Sequence, residues 1–133
     1  MIRLILLLFL FVSPASVAEN LKQIDYVGSW TQGHPITEGE KSTLSISEEF
    51  AVRFTRSFAG KYPDQQFATK ADGLRFMDDL AIIDFCWQDG ELAYKLVLSG
   101  WRVSENRQIF GTMFMYRDGT LFNGLPVSFK IEG

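Results

Sequence analysis

"ELAYKLVLSGWRV" runs from Glu91 to Val103, and its side chains alternate. Leu92, Tyr94, Leu96 and Leu98 fall on one side of an extended chain. Lys95 and Ser99 fall on the other, joined there by Val97 and Trp101. A period of two marks a strand with one buried face, because successive side chains of extended backbone point in opposite directions. The pattern recurs outward from this segment. In "FAVRFTRSF" (Phe50 to Phe58), Phe50, Val52, Phe54 and Phe58 oppose Ala51, Arg53, Thr55 and Ser57. Arg56 lands on the apolar side, which places it near a rim or beside a carboxylate inside. "PVSFKI" (Pro126 to Ile131) sets Val127, Phe129 and Ile131 against Ser128 and Lys130. "QIFGTMFMYR" (Gln108 to Arg117) is apolar on both faces, which predicts a strand covered on both sides. Gly100 and Gly111 interrupt the long strands, where glycine commonly marks a bulge or a bend.

Turn signals separate these runs. Asp72-Gly73, Asp89-Gly90, Asp118-Gly119 and Asn123-Gly124 are dipeptides that tolerate the positive φ of tight hairpins. Strands are expected at 27–32, 42–47, 50–58, 65–70, 73–77, 80–87, 91–103, 108–117 and 126–131. Short strands with a turn signal roughly every 8 to 15 residues define an all-β, antiparallel meander of about eight or nine strands, closed as a sandwich or barrel. The alternative is an α+β fold with a short helix near residues 64–72. There Pro63-Asp64 would cap the helix, and Phe67, Ala71 and Leu74 would share a face. Gly73 counts against that helix. "ENLKQIDYV" (Glu19 to Val27) is expected to form one helical turn before the first strand.

The start, "MIRLILLLFLFVSPASVAEN", has the plan of a secretory signal peptide. Arg3 supplies the positive end, Leu4 to Val12 is unbroken apolar chain, and Ser16-Val17-Ala18 offers small residues for cleavage. The apolar run is too short to span a bilayer. Residues 1–18 are therefore expected to be a leader cleaved after Ala18, and 19–133 a single β-barrel domain, periplasmic or secreted. A chain of about 115 residues buries roughly two-thirds of its unfolded surface, enough for a core without staples. Cys86, the single cysteine, can form no intramolecular disulfide. In "AIIDFCW" it is expected to be a small buried hydrophobe rather than a reactive thiol.

Charge excludes one class of partner. The whole chain carries a formal −3, and the loss of Arg3 with the leader makes it one unit more acidic. Its basic residues are scattered, so the clustered Lys and Arg that grip phosphates are lacking, and no nucleic-acid partner is expected. No membrane span is expected either.

Constellations for chemistry are sparse. His34, the single histidine, lies in the loop "QGHPITEGE" with Glu38 and Glu40, a spacing that matches no defined metal motif. It reads as a solvated loop residue, and no metal or cofactor is expected. Glu48-Glu49 and Asp78-Asp79 are adjacent pairs at turns, whereas glycosidase chemistry needs carboxyls facing each other across a cleft. Asp84, in "LAIIDFCW", has apolar neighbours on both sides; if buried it needs a partner, with Arg53, Arg56 and Arg75 as candidates. No catalytic residues are expected, and an enzyme built on Asp84 is the weakest reading. The aromatic set, in particular Phe54, Tyr94, Phe114 and Tyr116, with Trp30, would line a cavity for an apolar ligand or simply fill a small barrel.

Gly28-Ser29-Trp30 on the first strand, after a helical turn and before a loop (Gly33 to Glu40) and a meander, resembles the lipocalin and wider calycin barrels. In that family the tryptophan closes one end of the barrel, often packed on an arginine from a late strand. The resemblance implies that Trp30 is the end plug, that Arg117 or Arg102 is its cation–π partner, and that the loop after Trp30 covers the barrel mouth. The chain is shorter than typical lipocalins and has no C-terminal helix signal. The resemblance covers three residues and the strand order, and implies a small lipocalin-like barrel of the bacterial periplasmic kind. The leading functional expectation is an exported, non-enzymatic barrel that binds a small apolar or amphipathic ligand. The alternative is a periplasmic protein-binding module, such as a hydrolase inhibitor, that presents "QGHPITEGEK" or "SENRQ" to an envelope protein.

Overall fold

The structure is a computed structural model that describes residues 17–132, apart from 34, 36–37, 70 and 87–91. The leader residues 1–16, His34 and the Asp89-Gly90 turn thus lie outside the described residues, as does the side chain of Cys86 at the end of its strand. The strands are β1 (Glu19–Asn20), β2 (Gly28–Gln32), β3 (Lys41–Ile46), β4 (Val52–Ser57), β5 (Gln65–Thr69), β6 (Leu74–Met77), β7 (Leu80–Cys86), β8 (Leu92–Val103), β9 (Asn106–Arg117) and β10 (Thr120–Ile131). The only helical pieces among the described residues are 3-10 turns at Gln23–Tyr26 and Ala71–Gly73. The all-β antiparallel meander expected from the alternation is what forms.

Every strand pairs antiparallel, in the order β5-β4-β3-β2-β10-β9-β8-β7-β6, and β1 adds to the end of β8. Strand directions must therefore alternate along the path, which gives β5 and β6 the same direction. They follow each other in sequence across the Ala71–Gly73 turn, β5 paired to β4 and β6 to β7. One interrupted strand thus bridges β4 and β7, and the nine strands of the path fill eight barrel positions. Side chains seal the junction: the Phe67 ring lies 5.9 Å from Phe85 and 4.8 Å from Tyr94. The result is a nearly closed barrel.

The helix considered near 64–72 does not form. Gln65–Thr69 is extended, with Phe67 buried between two exposed neighbours, so cross-strand pairing with β4 outweighs the Pro-Asp capping signal. β10 starts at Thr120 rather than at 126. Asp118 (φ 50°) and Gly119 (φ 79°) form the β9–β10 turn, both central residues positive as a type I′ hairpin demands. Asn123-Gly124, expected as a turn, instead lies within β10, where the register slips between Leu121 and Asn123. Gly100 and Gly111 mark no bulge, because β8 and β9 pair without a slip from Leu92 to Val103. Gly111 is needed for close approach: a Cβ there would sit 1.8 Å from the Val97 carbonyl oxygen.

Alternate residues of every long strand point inward. Trp30, Leu44, Phe54, Phe67, Phe85, Leu96, Leu98, Ile109, Met113 and Phe129 are buried in one continuous core. Each such side chain stabilises the fold by about 1.5–3 kcal/mol relative to exposure. An eight-position barrel is just wide enough for its side chains to fill, and the stacked rings of Phe54, Phe67 and Phe85 occupy the centre.

Candidate functional site

Trp30 is fully buried towards the end of the barrel that carries the Gln23–Tyr26 turn. Its indole N–H donates to the Tyr26 carbonyl at 3.0 Å, fixing the 3-10 turn across that end. The cation over its ring is Arg107, with the guanidinium carbon 5.7 Å from the centroid. Arg107 also donates to the carbonyls of Asp25 and Val27, so it ties the incoming chain to β9. The arginines expected there are elsewhere. Arg102 sits beside Glu19 and Asp25, and Arg117 lies at the opposite end over Phe122. Gly28 has φ +143°, and a Cβ would meet Ile131 at 2.7 Å, so the first residue of the Gly-Ser-Trp motif is set by backbone and by crowding.

At the opposite end the expectation for Arg56 resolves to an internal partner. Its guanidinium bonds the Glu40 carboxylate at 2.8 Å, both side chains essentially inaccessible. Ser42 donates to the same carboxylate at 2.7 Å, Gln65 accepts from Arg56 at 3.4 Å, and Arg56 lies 5.0 Å from the Phe58 centroid. Such a pair is costly to bury, and further hydrogen bonds are what make it tolerable.

The four aromatic residues considered as a ligand set are split by the barrel wall. Phe54 and Tyr94 are inside, where Phe54 packs at about 6 Å from Phe67, Phe85 and Phe129. Phe114 and Tyr116 alternate with the buried Met113 and Met115, and so face out. The "QIFGTMFMYR" strand is therefore covered on its inner face alone among the described residues. Asp84 also faces out, about half exposed, and bonds Arg75 at 3.0 Å with Lys95 at 3.8 Å. Of the partners considered for Asp84, Arg75 is the one present. The site it occupies is a solvated ion pair rather than a buried one.

These outward positions assemble a surface. On β8, β9 and β10 the outer face carries Trp101, Phe110, Phe114, Tyr116, Leu121 and Phe122. Leu121 is 52% exposed, Phe122 49% and Phe110 41%, and Trp101 packs on Phe110 with centroids 5.0 Å apart. The Phe114 ring lies over Gly124, where an added Cβ would be 3.5 Å away. Cations border this face: Lys95 is 5.9 Å from the Tyr116 centroid, Arg117 is 5.1 Å from Phe122, and Lys130 is exposed opposite Gln108.

A separate cleft of about 370 Å³ opens at the Trp30 end between the Asn20–Gln23 segment and the β6–β7 turn. Tyr26, Phe76, Asp78 and Asp79 line it. Burial, with the nearby Asp79 carboxylate adding to it, pushes the Tyr26 phenol up to about 12. The sequence singled out neither Tyr26 nor Arg107. Arg107 was reachable only through the β8–β9 register, which brings residues after the Ser104 turn back to the Trp30 end.

Among the described residues no three His, Cys, Asp or Glu side chains converge as a metal site, and no helix is long and apolar enough to cross a membrane. No known family, curated protein or solved structure matches the chain.

Proposed function

We propose that this chain is an exported, non-enzymatic, lipocalin-like barrel that works as a protein-binding module through the outer face of β8–β10. The observation that carries this reading is the set of aromatic side chains on the outer face of β8–β10, bordered by cations on a chain whose net charge is negative. Interfaces favour aromatic and arginine side chains, and exposed apolar patches rimmed by polar groups mark association surfaces. The packed interior supports the same direction, since the rings that would line a ligand cavity pack against one another. The lipocalin likeness is supported by Trp30 at a barrel end under an arginine of a late strand, and export by the signal-like apolar start. Charge complementarity selects the partner: a protein with an acidic rim around an apolar patch, in the same envelope compartment.

The test uses two surface variants, Phe110→Glu and Phe122→Glu, which add charge without touching the core. A partner is recovered from envelope extracts, purified, and titrated against each form. Wild type should bind it in a salt-sensitive manner, and each variant should lose about tenfold or more in affinity with an unchanged melting temperature. Equal affinity for wild type and both variants overturns the assignment of this face. Concentration-dependent dimers in sedimentation, abolished by the variants, would make a second copy the occupant and overturn the acidic partner.

A further inference from the structure

The cleft at the Trp30 end holds a polar group that the fold leaves unsatisfied. Tyr26 is 2% exposed, and its phenolic oxygen has no hydrogen-bond partner among the described residues. A buried hydroxyl without a partner is destabilising and uncommon, so it calls for an occupant that completes it. The ring is held from behind: its own carbonyl accepts from Trp30, and Phe76 packs against it with centroids 5.6 Å apart. Around the opening stand the carboxylates of Asp78 and Asp79, the amides of Asn20 and Gln23, and the apolar walls of Leu21 and Phe76. Lys22 is the one cation in the lining, and two carboxylates against it leave the cleft negative.

We infer that this cleft binds a small organic ammonium ion with an apolar tail. A primary ammonium donates up to three hydrogen bonds, enough to reach the Tyr26 oxygen and an Asp79 or Asp78 carboxylate together. Its tail would lie on Phe76 and Leu21, and the ammonium would also face the Phe76 ring. A metal ion is a poor fit, because no third His, Cys, Asp or Glu joins the two carboxylates among the described residues. An anion would meet both aspartates. Asn20 in the lining pairs with Trp101, so the cleft adjoins one end of the aromatic face, yet the site does not depend on that face having a partner.

The purified protein is titrated with 2-phenylethylamine by calorimetry and by NMR of the aromatic resonances, with phenylacetate as the anionic counterpart of the same size. The amine should bind and shift the Tyr26 and Phe76 signals, more weakly at high salt, while phenylacetate should not bind. Asp79→Asn should lower the amine's affinity about tenfold, the effect of losing one charge-assisted hydrogen bond. Tyr26→Phe should lower it several-fold while melting no lower than wild type, because it removes only an unpartnered hydroxyl. Binding of the amine unaffected by both variants overturns the site. So does equal binding of phenylacetate, or a Tyr26→Phe variant that melts clearly lower, which would show the hydroxyl already satisfied by ordered water.

Discussion

Tyr26 does two things at the Trp30 end: its backbone carbonyl anchors the indole, and its ring fills the space beneath Phe76. The hydroxyl titrates abnormally, raised from 10.0 to about 12, first by burial and then by Asp79. A phenol is charged when deprotonated, so a raised folded value means that the native state keeps a proton the unfolded state has already lost. Stability from this group is intact below pH 10 and declines as pH rises from 10 towards 12. The decline is of the order of 2–3 kcal/mol at most. Wild type and Tyr26→Phe should therefore melt in parallel up to about pH 10, and the wild type should then fall away faster. Parallel curves through pH 12 would mean the phenol is not held back. That Trp30 is a core residue near the start of the meander could be read from three residues and their place in the chain. Its cation could not, because Arg102, Arg107 and Arg117 are equivalent in sequence, and only register tells which one reaches the indole.

Strands β8 and β9 show what alternation encodes and what it leaves out. In β8 the inward set Tyr94, Leu96 and Leu98 faces a mixed outer set, so the buried face was legible from polarity alone. In β9 both sets are apolar, and parity separates Phe114 and Tyr116 from Met113 and Met115 without saying which pair is inside. The turn and the register decide it, through pairing of Met113 with Leu96 and Met115 with Tyr94. Asn123-Gly124 misled for a related reason: it lies opposite Met115 and Phe114, where a small residue makes room for a ring rather than for a turn. Gly111 carries the sharpest consequence at this scale. A methyl group there would sit 1.8 Å from the Val97 carbonyl oxygen and 3.1 Å from Leu98 Cα, both backbone atoms that cannot rotate aside. Gly111→Ala should force β8 and β9 apart and destabilise the barrel by roughly 2 kcal/mol or more, the range of strain at an over-packed site. Chemical denaturation checks this, and a loss below about 0.5 kcal/mol would mean that the pair adjusts freely.

At the scale of the whole molecule, the number of strand positions fixes what the interior can hold. The β5–β6 junction makes one position of two short strands, and a barrel of about eight positions closes around its own side chains. Phe54 sits at the centre of that filling, within about 6 Å of Phe67, Phe85 and Phe129. If the interior is full, wild type takes up no small apolar probe, and room appears only when a ring is removed. Phe54→Ala deletes a phenyl group and should leave a dry void of the order of 100 Å³, because its walls are apolar. The variant should lose about 3–5 kcal/mol of stability, from lost burial and from incomplete collapse of the neighbouring rings. Saturating benzene should then raise its melting temperature by mass action while leaving wild type unmoved. Should Phe54→Ala fail to fold, Phe54→Leu offers the same comparison with a smaller loss. Stabilisation of wild type by benzene would show an interior with unfilled volume, and would put a ligand site at the barrel's centre.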